Sequence, residues 1–236
     1  MIDLPSPNFD ERPAGTSIDM LVLHYTGMPS AKAAIERLTD PAAQVSAHYL
    51  IDEDGACHGL VDENVRAWHA GRSFWRGRTD LNARSIGIEL VNPGHEFGYR
   101  PFPEAQMTAL IRLARDILGR HPIPPRNVVG HADVAPRRKE DPGELFDWRR
   151  LAAEGIGLWP AASETDAPPP PDWPNLLERL GYDVADLAGE TKGTGSRAAL
   201  VAFQRHYRPR RFDGMADGET ISRMTALLEM TGEMSR

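Results

Sequence analysis

The stretch GHADVAPRRKEDPG, Gly130 to Gly143, places a histidine, a lysine and an acid in one irregular segment: His131, Lys139 and Asp141. Such a segment adds little to a packed core, whereas a metal ion or a reacting carbonyl gains a donor set and a cation from it. A second histidine, His24, ends the apolar run DMLVLHYT, and His131 ends NVVGH. Both runs read as strands, and strand ends in α/β sheets open onto clefts where ligands bind. Two imidazoles and one carboxylate form a plausible catalytic zinc set, with a position left for water. The spacing is not H-E-x-x-H, and the sequence does not say whether His24 approaches His131. The alternative for each is a hydrogen-bonded structural histidine, which is how His95, His121 and His206 are read beside their polar or turn neighbours. The single cysteine, Cys57, reads as a small apolar strand residue, so a metal here must use histidine and carboxylate.

Glu89 interrupts the alternating run RSIGIELVN. Ile86, Ile88 and Leu90 take one face, and Gly87, Glu89 and Val91 the other. Gly87 has no side chain, which leaves space around the carboxylate. An acid in the middle of so apolar a strand points to a function; the alternative is a surface glutamate on a half-exposed strand. Lys139 is either a solvated loop cation or an electrophile that stabilises developing negative charge.

The elements that must position these residues alternate. After the first strand comes SAKAAIERLTD, a short helix with Ser30 as N-cap. SAHYLIDEDGACHGLVD reads as two strands around Asp54-Gly55. PFPEAQMTALIRLARDILGRH is a helix opening at Pro103 and stopping at Gly119, with Met107, Leu110, Ile111, Ala114 and Leu118 as its apolar stripe. FDWRRLAAEGIG is a last helix capped by Asp147. This alternation predicts an α/β fold with a mixed central sheet flanked by helices. Consecutive prolines in PAASETDAPPPPDWP favour an extended spacer, so the boundaries are a catalytic unit over 1–160, a Pro-rich linker over 161–172 and a small three-helix unit over 173–236.

The net charge of −7 and a pI near 5.6 argue against a nucleic-acid partner, which usually meets a basic footprint. No apolar run approaches the roughly 18–20 residues a transmembrane span needs. The N-terminus MIDLPSPNFDERPAG has neither a basic n-region nor an apolar h-region. The chain as given reads as cytoplasmic; removal of a leader would leave the same picture and would put it in the periplasm or at the outer membrane.

In order, LVLHYT, VSAHYLID, AWHAG, SIGIEL, GHADVAPRRKEDPG and FDWRRLA closely resemble the zinc-dependent N-acetylmuramoyl-L-alanine amidases of the AmiD and AmpD type (the Amidase_2 family), over about residues 4–160. The resemblance implies Zn2+ held by His24, His131 and Asp141, Glu89 as catalytic base and Lys139 as catalytic lysine. It implies that Trp68 lines the sugar site and that Arg78, within the arginine-rich stretch Arg66 to Arg84, meets a stem-peptide carboxylate. His69 either lines the cleft or is a hydrogen-bonded loop residue, and His48 supports the site. The implied reaction is hydrolysis of the amide between N-acetylmuramic acid, possibly its 1,6-anhydro form, and L-alanine in peptidoglycan or muropeptides, serving wall turnover and recycling. The tail resembles a three-helix peptidoglycan-binding domain and would target the enzyme to polymeric wall; the alternative is that it packs against the catalytic unit and stabilises it. Rivals from other classes are a wall-recognition module that binds without cutting and a metal hydrolase for another amide. Binders of that kind typically lack a zinc ligand, and all of these residues are present here. Envelope relatives often carry a lipobox cysteine, which this N-terminus lacks.

Overall fold

The computed structural model describes residues 1–161 and 170–233, so most of the expected linker lies outside the described residues. The fold is the expected α/β arrangement. Six strands form one mixed sheet: β1 (Ile2–Asp3), β5 (Cys57–Gly59), β4 (Tyr49–Ile51), β7 (Ser85–Leu90), β3 (Met20–Tyr25) and β8 (Val128–Gly130), in that spatial order. β7 runs parallel to β3 and β4, and β3 runs parallel to β8. β4 and β5 form the hairpin expected around Asp54-Gly55. A separate ribbon joins β2 (Phe9–Glu11) to β6 (Val65–Ala67).

The period of two along the central strands sorts side chains to the sheet's two faces. Leu21 and Leu23 of β3, with Ile86, Ile88 and Leu90 of β7, pack under the long helix α3 (Glu104–Arg120). Its buried stripe is Met107, Leu110, Ile111, Ala114 and Ile117; Leu118 is only partly buried. Gly119 does not stop this helix, because the turn continues through Arg120 and closes at His121, whose N–H donates to Ile117 O. Glycine lowers helix propensity but ends a helix only where the chain turns left-handed, and that does not happen here. Gln106, fully buried, donates from Nε2 to the carbonyls of Ile51 and Val91 and so pins the helix to the strand ends. Ser30 caps α1 (Ala31–Thr39) by accepting from Ala33 N–H, and Asp147 caps α5 (Trp148–Ala153) by accepting from Arg150 N–H.

The opposite face carries Met20, Val22 and Val129, together with Ala132 and Val134 of the short helix α4 (His131–Val134). The tail helices α6 (Trp173–Leu180), α7 (Thr194–Tyr207) and α8 (Gly218–Met230) contribute Leu177, Leu200, Phe203, Met224 and Leu228 to that same core, and Tyr182, just past α6, joins them. The tail therefore continues the hydrophobic core of the sheet. A buried polar clasp fixes the docking. Asp133 Oδ1 accepts from Tyr182 OH at 2.7 Å, and Asp133 Oδ2 accepts from Gly130 N–H at 2.7 Å and lies 2.7 Å from His206 Nδ1. His206, read in the sequence as a hydrogen-bonded structural histidine, is one: it is buried and stacked between Trp148 and Tyr207 with ring centroids 3.7 and 3.8 Å away. Arg76 pairs with Glu233, and Arg205 with Glu144, across the same junction.

This packing changes what shortening the chain should do. A chain ending near Ala162 loses several large buried side chains, each contributing roughly 1.5–3 kcal/mol. Its Tm should fall by roughly 10 °C or more, and turnover of soluble and polymeric substrate should drop together. A thermal scan with parallel assays checks this; an unchanged Tm with loss confined to insoluble wall would instead favour a tail that only tethers.

Candidate active site

The strand register brings the first two candidates together. His24 on β3 is the direct neighbour of Glu89 on β7, one residue before each strand ends. Neighbouring strands lie roughly 4.8 Å apart, and both side chains leave the same face. His131 follows the end of β8 and opens α4, so it stands one position beyond the strand to which the sequence assigns it. The loop after α4 then returns. Ala132 N–H donates to Asp141 O at 2.8 Å, and Pro142, joined to Asp141 by a cis peptide bond, lies against Gly130. A Cβ on Gly130 would come 2.7 Å from Pro142 Cδ, so glycine is required there for the loop to close.

The result is a compact cluster. His24 Nδ1, His131 Nδ1 and Asp141 Oδ2 lie 3.0 Å from one another on every side of a triangle. All three residues are buried. Burial lowers the His24 imidazole to about 4, reinforced by His131 and partly opposed by its bond to Asp141. Burial alone would raise the Asp141 carboxyl, but His131 and His24 hold it far below the usual carboxylate range. His131 Nε2 lies 3.1 Å from Ala70 O, which can only accept, and 3.3 Å from Arg138 Nη2, which also donates to Ala70 O; with Nε2–H donating to the carbonyl, the Nδ1 lone pair faces the cluster. Lone pairs of two imidazoles and a carboxylate converging on one buried point repel each other unless a cation joins them. These groups therefore fit a metal ion, and their deprotonated forms are the ones that ligate.

Glu89 forms part of the cleft wall beside this cluster. Its Oε2 is buried and has no hydrogen-bond partner among the described residues. Burial, reinforced by the charge of Asp141 and opposed by Lys139, pushes its carboxyl well above the usual range. The space over Gly87 is not left for this carboxylate. The ring of His69 fills it, and a Cβ on Gly87 would fall 2.5 Å from His69 Cγ.

A cleft of about 440 Å³ opens over the cluster, and Glu89, His131, Asp141, Lys139, Trp68 and His69 all line it. The Lys139 backbone N–H donates to Ala135 O at 3.1 Å, while its ammonium, at the cleft, makes no hydrogen bond or ion pair among the described residues. Trp68 is held at the wall by Nε1–H donating to Asp10 at 3.1 Å. His69 is nearly buried, with Nδ1 3.0 Å from His24 Nε2 and Nε2 3.1 Å from Ser85 Oγ, so both its nitrogens are engaged behind the cluster. His48 accepts Gly87 N–H at Nδ1 and takes a supporting position under the strand.

Arg78 is exposed in the turn where Trp75 and Arg78 bridge, and it is not among the residues that line this cleft. Three other arginines of its stretch are held in ion pairs: Arg66 with Asp10 and Asp80, Arg76 with Glu233, and Arg84 with Asp19. The cleft's own arginines are Arg37 and Arg138. The sequence gives no role to Tyr25 and reads His95 as a structural histidine; both line the cleft, with Tyr25 OH 2.9 Å from His95 Nδ1. Tyr25 follows a ligand candidate directly, and Arg138 lies between His131 and Asp141; adjacency in the sequence was the available signal for both.

The matches to known proteins agree with this geometry. The family model described as N-acetylmuramoyl-L-alanine amidase matches residues 14–144, and a peptidoglycan binding domain model matches residues 175–224. The chain is 44% identical to the N-acetylmuramoyl-L-alanine amidase AmiD of Escherichia coli, over 92% of this chain and 84% of that protein. A solved complex of E. coli AmiD with the substrate anhydro-N-acetylmuramic acid-L-Ala-D-gamma-Glu-L-Lys superposes with a TM-score of 0.82 at 41% identity, covering 95% of this chain and 94% of the other. AmpDh3 of Pseudomonas aeruginosa, solved with anhydromuramic pentapeptide, gives 0.80 at 34% identity, covering 96% and 98%. Relatives this similar across nearly the whole chain, with a metal-fitting His-His-Asp cluster at the cleft, leave one assignment: the chain belongs to the N-acetylmuramoyl-L-alanine amidase family.

Proposed function

We propose that this chain hydrolyses the amide between the lactyl group of N-acetylmuramic acid, the 1,6-anhydro sugar included, and L-alanine, in peptidoglycan or in muropeptides released from it. The observation that carries the reading is the His24–His131–Asp141 triangle with Glu89 in register beside it. His24, His131 and Asp141 would hold a zinc ion, which suits a two-nitrogen, one-oxygen donor set. When bound, that ion supplies a Lewis acid for the amide carbonyl and lowers the pKa of water. Glu89 takes the proton of the attacking water and delivers it to the leaving L-alanine nitrogen. A carboxyl with a raised pKa suits both halves of this task. Lys139, with no partner to release, places its ammonium where the carbonyl oxygen gains negative charge.

Trp68 offers the sugar a flat apolar wall. The stem peptide carries carboxylates; Arg37 and Lys139 at the cleft and the exposed Arg78 are the cations that would meet them, whereas Arg138 already donates to the carbonyls of Arg72 and Ala70. Residues 1–160 carry the chemistry, and residues 173–236, joined through 161–172, would contribute wall affinity as well as the core packing described above. No helix among the described residues is long and apolar enough to cross a membrane. The compartment decides which substrate the enzyme meets: free muropeptides for recycling in the cytoplasm, polymeric wall in the periplasm or at the outer membrane. Cell fractionation separates these cases. Mass spectrometry of digests is the direct test of the reaction, with L-alanyl peptide freed from intact sugar as the expected product. Unchanged muropeptides would refute it, and cleavage within the peptide would point to an endopeptidase.

Three variants test the roles. Asp141→Ala should bring zinc content well below one ion per chain and abolish turnover; full metal occupancy with normal rate would remove Asp141 from the ligand set. Glu89→Gln should keep its zinc and its fold while losing about 10²–10⁴ in rate, and a rate within a few-fold of the parent would make Glu89 structural. Lys139→Ala has a sign that the electrostatics fix. The ammonium favours the ionised Glu89 carboxylate, so removing it raises that pKa further. The acidic limb of the kcat/KM profile should then move to higher pH, with a fall in kcat of about 10²–10³ from the lost oxyanion partner. A limb that stays in place would show that Lys139 does not act on Glu89.

A further inference from the structure

We infer that Ser85, acting through His69, fixes which nitrogen of His24 carries the proton and so holds the His24 Nδ1 lone pair toward the metal cluster. The inference rests on the reading of His24 as a metal ligand. It concerns positioning residues: Ser85 lies a layer behind the cluster, and His69 reaches the ion only through His24.

The proton inventory is closed. Ser85, Gly87 and Glu89 alternate onto one face of β7, and in the register of β3 they stand beside Met20, Val22 and His24. Ser85 is fully buried, with its Oγ 2.6 Å from Leu81 O and 3.1 Å from His69 Nε2. A carbonyl oxygen can only accept, so the hydroxyl proton goes to Leu81. Ser85 Oγ then has only lone pairs for His69, and His69 must donate from Nε2–H. A neutral imidazole carries one such proton, so His69 Nδ1 accepts. Its partner, 3.0 Å away, is His24 Nε2, which must therefore donate. His24 in turn has no proton left for Nδ1, the atom that faces His131 Nδ1 and Asp141 Oδ2 at 3.0 Å. Each tautomer follows from the one behind it, and the chain ends at a backbone carbonyl that cannot change its role.

The same short turn serves the second imidazole. Asn82 Oδ1 accepts the backbone N–H groups of His69 and Ala70 at 3.1 and 2.7 Å. Ala70 O is the acceptor for His131 Nε2–H. Residues Leu81–Arg84 and the adjoining Ser85 thus brace both histidines, one through a side-chain relay and the other through a carbonyl. Gly87 supplies the space in which the relay lies, since a Cβ there would meet the His69 ring at 2.5–2.7 Å.

The test combines imidazole 15N NMR on metal-free protein with zinc affinity from chelator competition. In the parent protein His69 and His24 should both be the Nε2–H form. Ser85→Ala removes the acceptor and should mix the His69 tautomers and weaken zinc about 10–100-fold, the usual worth of an outer partner of a ligating histidine. Gly87→Ala, which displaces the same ring by another route, should weaken zinc comparably, and Ser85→Thr, which keeps the hydroxyl, should restore affinity to within a few-fold. A His69 Nδ1–H form in the parent, or Ser85→Ala binding zinc within two-fold of the parent, would overturn the relay. If Ser85→Ala does not fold, the parent tautomers and Gly87→Ala decide in the same way. A parent protein that takes up no zinc at all would instead sink the metal reading itself.

Discussion

The pairing of β3 with β7 in parallel register is the constraint on which the site depends. It sets His24 beside Glu89 on the same face and, one step further back, Val22 beside Gly87 and Met20 beside Ser85. Parallel strands buried on both faces hold register firmly, because a one-residue slip would turn every side chain to the opposite face. Here a slip would send His24 and Glu89 under α3 and bring leucines into the cleft. The apolar packing of Leu21, Leu23, Ile86 and Ile88 against that helix thus fixes the distance between the candidate ligand and the candidate base.

Support for the cluster is layered. The inner layer is a set of lone pairs that gains from a cation. Behind it, His69 and the Ala70 carbonyl fix the outward nitrogens of His24 and His131, and Asn82 and Ser85 fix those in turn. Metal sites with their histidines oriented in this way have little reorganisation left on binding. The electrostatics follow from the same burial: neutral His24, anionic Asp141, and a Glu89 carboxyl that resists ionisation with its Oε2 unpartnered.

The tail is coupled to this arrangement through Asp133. Its carboxylate takes the Gly130 N–H at the start of the turn that carries His131, and it also meets Tyr182 and His206 from the tail. A helical unit of this size standing alone would be marginal. Sharing the core of the sheet removes that difficulty and ties the tail to the backbone beside a ligand.

How far the sequence carries the reading can be judged residue by residue. Five of the eight strands among the described residues, the caps Ser30 and Asp147, and the chemical candidates were legible because they rest on local patterns such as the period-two alternation around Glu89 and the proline-braced segment bearing His131 and Asp141; the two- and three-residue strands β1, β2 and β6 and the single-turn helix α4 are too short to leave a period. Family motifs added roles that local pattern leaves open. What the sequence alone could not say was which distant residues meet. Gly87 reads as room for Glu89 and turns out to be room for His69, because the cross-chain approach of a loop leaves no local trace. Arg78 and Arg138 look alike as isolated arginines; the path of the chain sends one out at a turn and brings the other to the cleft. The proline run suggests a detached tail, yet apolar faces on α6 to α8 find the uncovered side of the sheet. By itself the sequence determined the residue types and the elements that bear them; the tertiary structure decided the contacts among them, because a contact between residues far apart in the chain depends on how whole faces pack.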